Sequence, residues 1–370
     1  MKMDVVEEFV KLASLNSPSR REGKVAAYLA GRLREMGLSP VVDDSASLSG
    51  SDTGNILVRI AGNADGPAIL LCAHMDTVGP TEGMIPVIRD GVIYSNGETV
   101  LGADDKAGIA MILAAVSELL EEGRAHGALE LLFTVEEEIG LFGAKFLQAE
   151  LKSDFGYIAD GDGPIGSIIT RSPSKVDLDF TVAGRAAHAA RPELGINAIA
   201  VAAAAIARLK SGRMDDDTTM NIGVISGGKA RNIVPDCAEI AIEIRSFKEA
   251  KLEEEAQKTI AVFTEEAAKA GAEVKVRREL NFETFSIPET HPMVVNALHA
   301  AKAAGIEPTF RKSGGGMDAN VFNIRGLPCV GMGIGAEKAH SPEESVSIAQ
   351  LRDGVRFIKE LINRDRAHLI

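Results

Sequence analysis

The sequence has no tryptophan, few aromatic residues (4%) and only three cysteines in 370 residues. Without aromatics to fill space, the core must come from aliphatic side chains, and a hydrophobic content of 45% supplies them. Cys72, Cys237 and Cys329 are far apart and each lies in an apolar stretch. That spacing argues against a disulfide framework and for reduced core thiols, and therefore for a cytoplasmic protein. Basic charge is also scarce. A formal net charge of −13 argues against nucleic acid or an anionic membrane surface as partner. The longest apolar runs, within residues 108–120 and 196–209, fall short of the ~20 residues a membrane span requires. The opening "MKMDVVEEFVKLASL" has acidic residues inside its apolar pattern, so it reads as an amphipathic helix rather than a signal peptide.

A chain of this length exceeds the size at which one core stops growing, which points to two domains. Residues 4–15 and 22–36 carry helical periodicity, "NILVRIAG" and "AILLCAHMD" read as buried strands, and 104–122 reads as a long helix. "LELLFTV" and "FGYIAD" are strands again. This order predicts an α/β domain with a largely parallel sheet covered by helices. In such sheets, sites form at the carboxyl ends of strands. From "TRSPSKVDLDFTV" the pattern changes to strand (176–184), helix (197–210), two strands joined by "SGGKARNIVPD", helix (249–270) and strand (273–280). That βαββαβ series is the ferredoxin-like arrangement. Helices resume at 292–304, 317–324 and 348–364, with the strand "LPCVGMGIG" among them. The reading is a large domain, 1–173 and 285–370, interrupted by a smaller inserted domain, 174–284.

Chemistry-bearing residues gather at the predicted strand ends. "AILLCAHMDTVGP" places His74 and Asp76 two apart, so their side chains share a face with Cα atoms roughly 6.6 Å apart. A carboxylate on one ring nitrogen fixes the tautomer and presents the other nitrogen to a metal, although a histidine satisfied at a strand end explains the pair equally well. "VLGADDKAG" puts Asp104 and Asp105 at a helix start, where carboxylates also serve as caps. "FTVEEEIG" ends a strand in Glu136, Glu137 and Glu138, "YIADGDGP" ends another at Asp160, and "GAEKAHSPEES" brings His340 after the late strand. Each stretch alone has a structural explanation. Together they supply two histidines and several carboxylates at the carboxyl ends of predicted strands or the opening of a helix, the set that a two-metal hydrolytic site requires.

The motifs "HMDTV", "GADDKAG", "EEEIG", "ADG" and "AHSPEES", in this order and with a βαββαβ insertion before the last, resemble those of the M20 family of di-zinc peptide and aminoacyl hydrolases, within it the peptidase T-like (tripeptidase) branch. The resemblance covers essentially the whole chain. It implies that His74 and Asp160 hold one metal, Glu138 and His340 the other, and that Asp104 bridges them. Glu137 would then be the general base toward the attacking hydroxide, with Asp76 orienting His74 and Asp105 following the bridging ligand. Counting back from Ile139-Gly140 settles the register of the three glutamates and leaves Glu136 without a role.

In the insert, "GRAAHAARPELGINAI" places His188 in a loop before a helix, and "KARNIVPDCAEIAIEIRS" carries Asn232 and Arg245. The residues alone mark His188 as an ordinary loop histidine. The resemblance instead implies that it polarises the scissile carbonyl, often from a partner subunit, while Asn232 and Arg245 grip the substrate. "RKSGGGMDANVFN" places Gly314, Gly315 and Gly316 before a helix, where backbone N–H groups can receive a substrate carboxylate or form a capping turn. The implied protein carries two Zn²⁺ per subunit, with Mn²⁺ or Co²⁺ as possible replacements. It cleaves small peptides as an aminopeptidase acting on tripeptides, and forms a homodimer through the insert as lid and dimerisation domain. The rivals are an N-acyl-amino-acid deacylase, a carboxypeptidase, or a non-catalytic binding protein. His126, His291, His299 and His368 read as solvated, and "KEAKLEEEAQK" as an exposed helix face.

Overall fold

Five- to seven-residue runs of aliphatic side chains, buried on both faces, form the centre of the larger unit. The computed structural model describes residues 3–363. Ile69–His74, Leu129–Thr134, Phe155–Gly161 and Cys329–Gly333 pair in parallel, and antiparallel strands flank them on both sides. The mostly parallel α/β sheet expected from the alternating pattern is therefore present. The Ala103–Glu122 helix lies against it and is apolar nearly all round, since it is covered by the Val5–Ala13 and Ile348–Ile362 helices as well as by the sheet.

Register explains why distant residues meet. His74 is level with Thr134, and Cys72 is level with Ile158, so His74 and Asp160, each two residues further on, end their strands at the same height. The segment Glu136–Glu138 continues from Leu129–Thr134, on the other side of the His74 strand, and Cys329–Gly333 runs alongside the Asp160 strand. Gly108 lets the long helix approach: a Cβ there would lie 2.1 Å from the Ala159 carbonyl oxygen and 2.3 Å from Asp105 Oδ1.

The contacts divide the chain into this larger unit, which ends at Ser172 and resumes at Ser286, and a second unit, Pro173–Phe285. In the second, Ser174–Ala183, Thr218–Gly227, Cys237–Ser246 and Glu273–Phe282 form an antiparallel sheet. The order is Thr218–Gly227, Cys237–Ser246, Ser174–Ala183, Glu273–Phe282, with the two-residue strand Gly212–Arg213 at the outer edge. The Ala198–Arg208 and Glu249–Ala270 helices pack on it through alanines and through Phe263, which stacks on Phe180 with centroids 4.0 Å apart. This is the βαββαβ order expected.

Several details differ from the reading of the sequence. The Val87–Arg89 and Val92–Tyr94 hairpin and the strands Ser167–Ser172 and Thr309–Lys312 have no counterpart in it. His126 is buried rather than solvated, with its Nδ1 2.8 Å from the Gly127 carbonyl oxygen. Glu255, in the supposedly exposed run, is buried and takes Lys251 at 2.9 Å. His368 lies outside the described residues. Among the described residues no helix is long and apolar enough to cross a membrane.

Candidate metal centre

The strand carrying His74 runs fully buried to its last residue and delivers the ring to the end of the sheet. Its Nδ1 lies 2.9 Å from the backbone carbonyl oxygen of Asp76 and 3.3 Å from Asp76 Oδ1. The orienting partner is thus the carbonyl as well as the carboxylate. Two acceptors at Nδ1 keep the proton there and leave Nε2 facing the cleft. That Nε2 is 3.1 Å from Asp104 Oδ1 and 3.6 Å from Asp160 Oδ1.

Asp104 and Asp105 stand at the opening of the long helix but depart from helical geometry, and the peptide between them is cis. Gly102, with φ of +74°, turns the chain into this segment, a conformation that favours glycine. The two carboxylates point apart. Asp105 accepts the His74 N–H at 3.0 Å and the Gly108 N–H at 3.2 Å, behind the site. Asp104 faces the cleft with its two oxygens divided: Oδ1 toward His74, and Oδ2 3.2 Å from His340 Nε2. The same His340 nitrogen is 3.1 Å from Glu138 Oε1. His340 does not follow the late strand directly; a two-residue strand, Ala336–Glu337, and a turn precede it.

Of the three glutamates, Glu137 and Glu138 line the cleft. Glu136 is fully buried elsewhere, 3.8 Å from Arg20. Asp76 holds the other two from beneath, since its Oδ1 accepts the Glu137 N–H at 3.0 Å and its Oδ2 accepts the Glu138 N–H at 3.2 Å and the Ser19 hydroxyl at 2.7 Å. The cleft encloses about 240 Å³ and is lined by Asp104, Glu137, Glu138, Asp160, Asp162, Ser313, Gly315, Gly316, Met317, Ala339 and His340.

The electrostatics call for cations. Burial raises Glu137, Asp160 and Glu138 above the usual carboxylate range, and neighbouring carboxylates raise them further. Burial would lower His74, but Asp160, Asp104 and Asp76 around it reverse the direction. His340 is raised to about 10 by its hydrogen bonds to Asp104 and Glu138. The ligating atoms of His74, Asp104 and Glu138 lie within 4.8 Å of one another, as do those of His74, Glu137 and Asp160. Glu138 Oε1 is buried with no aligned donor. Imidazole nitrogens and carboxylate oxygens converging within one cleft are the donor set of a divalent metal pair.

The Gly-rich loop offers fewer donors than its sequence promised: the Gly315 N–H goes to Ser313 Oγ at 3.0 Å and the Met317 N–H to Asn320 Oδ1 at 3.0 Å. In the second unit, His188 and Asn232 lie on adjoining loops, where the Ala189 N–H donates to the Asn232 carbonyl. Both are exposed, and His188 Nδ1 accepts the Ala190 N–H. Arg245 is not with them. It sits eight residues along the strand from Cys237, about 26 Å away from the end near those loops, and Glu243 holds its guanidinium at 2.9 and 3.2 Å. Three polar residues around the centre had no role in the reading of the sequence. Glu344 and Asp162 stand within the quoted motifs, and Asp318, buried beneath the site, accepts the Thr134 hydroxyl at 2.6 Å.

A family model described as Peptidase family M20/M25/M40 matches residues 70–364, a span that holds all the donors above. The chain is 37% identical over 360 residues to the uncharacterized protein YqjE of Bacillus subtilis, with 97% of each covered. Among solved structures, aminopeptidase PepT from Bacillus cereus is 34% identical with a TM-score of 0.89. A tripeptidase from Staphylococcus aureus is 33% identical with a TM-score of 0.94, and both matches cover 98% of each chain. With the family model spanning most of its length, this chain belongs to peptidase family M20/M25/M40 and is a metallopeptidase.

Proposed function

We propose that the protein is a dinuclear zinc aminopeptidase that removes the first residue of short peptides, tripeptides foremost. His74 and Asp160 would hold one ion, Glu138 and His340 the second, and Asp104 both. The observation that carries this assignment is the division of the Asp104 carboxylate, one oxygen toward each histidine at 3.1 and 3.2 Å. A pair of divalent ions supplies Lewis-acid polarisation and acidifies water. Glu137 takes the proton of the attacking water and passes it to the leaving amine as the C–N bond breaks, a task suited to a carboxyl whose pKa burial has raised. His188 donates toward the carbonyl oxygen as charge develops there, with Asn232 beside it.

Substrate direction follows from charge. Among the described residues that line the cleft there is no lysine or arginine, while Asp162 is there with its carboxylate engaged in no hydrogen bond or ion pair among them. Asp162 follows the end of the Phe155–Gly161 strand and lines the same cleft as Asp160. That arrangement suits a free α-ammonium group next to the scissile bond better than a terminal carboxylate. The names of the relatives, aminopeptidase and tripeptidase, agree. Gly315 and Gly316 would border the bound peptide.

The second unit supports a homodimer. A tripeptide is roughly 10 Å long when extended, so one substrate cannot touch both His188 and Arg245 of the same copy across about 26 Å. A second copy supplying His188 and Asn232 removes the difficulty. Beyond its short pairing with Gly212–Arg213, the Thr218–Gly227 strand has a free outer edge with exposed Val224 and Ile225, an edge that invites pairing. The cysteines are reduced, and a cytoplasmic location fits them.

The test is a substrate panel with zinc-reconstituted protein: free tripeptides, the same peptides N-acetylated, and N-acyl amino acids. Cleavage of the free peptides alone is the expected result. Preference for N-acyl amino acids would replace this reading with a deacylase or carboxypeptidase.

A further inference from the structure

The two metal positions are built unequally. His74 is 1% exposed at the end of a buried strand, whereas His340 is 51% exposed on a turn. It has φ of +65° and no strand of the central sheet carries it. Its position depends on what anchors the turn. Within the turn, the Ser341 hydroxyl donates to the Lys338 carbonyl at 2.8 Å and the Glu344 N–H donates to the Ser341 carbonyl at 3.0 Å. These bonds shape the turn but do not tie it to the other ligands.

Glu344 provides that tie. Its side chain is 1% exposed, and its carboxylate accepts the Gly102 N–H at 2.7 Å through Oε2 and the Asp104 N–H at 3.0 Å through Oε1. One carboxylate therefore caps the opening of the Ala103–Glu122 helix from a turn about 240 residues later in the chain. Both bonded groups belong to the segment that presents Asp104, and the glutamate itself stands four residues after His340. Among the described residues no salt bridge reaches it, although the buried Lys106 ammonium acts on it through space, and such a carboxylate is costly to bury unless its hydrogen bonds are fully used. A hydrophobic residue would fill the same space at lower cost if only packing were needed.

We propose that Glu344 is a positioning residue that fixes His340 against Asp104 and so sets how tightly the outer metal position holds its ion, leaving the inner position to His74 and Asp160. This rests on the metal assignment made above. Removing the carboxylate frees the turn and the helix opening from each other, and the ligand pair Asp104 Oδ2 and His340 Nε2 loses its fixed spacing. His74 and Asp160 keep theirs, because they stand on paired strands of the central sheet, and only the shared Asp104 moves with the helix opening.

The experiment is calorimetric titration of the metal-free full-length protein with Zn²⁺, with metal content measured after dialysis, on the parent, Glu344→Gln and Glu344→Ala. The parent is expected to take up two ions. Both variants should retain one ion with an affinity close to the parental one, since two of its three ligands are undisturbed, and bind the second about 10- to 100-fold more weakly. Activity should return toward the parental kcat as free Zn²⁺ is raised. Glutamine preserves side-chain volume, so it reports even if the alanine variant folds poorly. A purely structural role would lower the melting temperature and weaken both ions together, and that result overturns the proposal. So does a glutamine variant that holds both ions as tightly as the parent. A parent that binds fewer than two ions would instead overturn the metal assignment, and this inference with it.

Discussion

Asp76 offers the sharpest single perturbation, because four donors converge on one buried carboxylate. His74 Nδ1 and the Glu137 N–H meet Oδ1, while the Glu138 N–H and the Ser19 hydroxyl meet Oδ2. Asp76→Asn keeps the shape but replaces one acceptor with an NH₂ group. In either orientation of the amide, at least one backbone N–H, that of Glu137 or Glu138, faces another donor. A hydrogen bond to a charged group contributes about 1.5–3 kcal/mol, and the buried donor left without a partner adds to the cost. The segment Glu137–Glu138 shifts as a result, so the proposed general base and one candidate ligand move together. Loss of partners behind metal ligands typically costs 10- to 100-fold in affinity or activity. The expected outcome is a variant at least 10-fold lower in kcat, with weakened Zn²⁺ binding and a reduced melting temperature. Stopped-time peptide assays, metal titration and thermal scans measure the three quantities. Parental values in all three would refute the claim that this carboxylate organises the centre.

Glu137→Gln should lower kcat by roughly 10²–10⁴ with metal content unchanged, as loss of a proton shuttle requires; parental turnover would remove Glu137 from that role. His188→Ala should slow hydrolysis by roughly 10²- to 10³-fold without loss of metal, since a donor to a developing oxyanion is missing; an unchanged rate would detach the second unit from the chemistry. Glu22, whose carboxylate accepts the N–H groups of Arg20 and Glu136 and the Ser51 hydroxyl, is raised to about 7 by burial. Its folded-state value lies above the unfolded one, so its stabilising contribution is complete below about pH 4.5 and is lost as pH rises through 7. Thermal scans between pH 5 and 8 should show the parent losing up to roughly 3 kcal/mol relative to Glu22→Gln. Parallel profiles would contradict this.

The α/β framework was legible in the sequence because its strands are continuous aliphatic runs of the right length, such as "AILLCAH" and "LELLFT", and its helices repeat with a clear period. The insert was equally legible, since its two inner strands, Ser174–Ala183 and Cys237–Ser246, alternate more and less buried positions, as in "SKVDLDFTVA". Short or polar strands were not: "TFRK" is exposed throughout and pairs only because Ser167–Ser172 lies beside it. His126 was misjudged from its polar neighbours, although Asn63 and the Gly127 carbonyl close over it. The family resemblance was legible because each motif keeps its order along the chain. The work of Asp76 on the Glu137 and Glu138 backbone, and of Glu344 on Gly102 and Asp104, was not. Both act on main-chain N–H groups far away in sequence, and no side-chain pattern records where a main-chain donor points.

The attachment of the second unit has its own implication. The chain leaves the large sheet after Ser172 and re-enters it at Ser286, and the Ile287 N–H donates to the Thr170 carbonyl at 2.9 Å. Exit and return are therefore neighbours on adjoining strands, close enough for a few residues to join them. Excising the 113-residue segment Pro173–Phe285 would leave every candidate ligand on the remaining polypeptide. The candidate ligands and Glu137 thus share one module and His188 and Asn232 lie in the other, so cation capture can be measured with the insert removed.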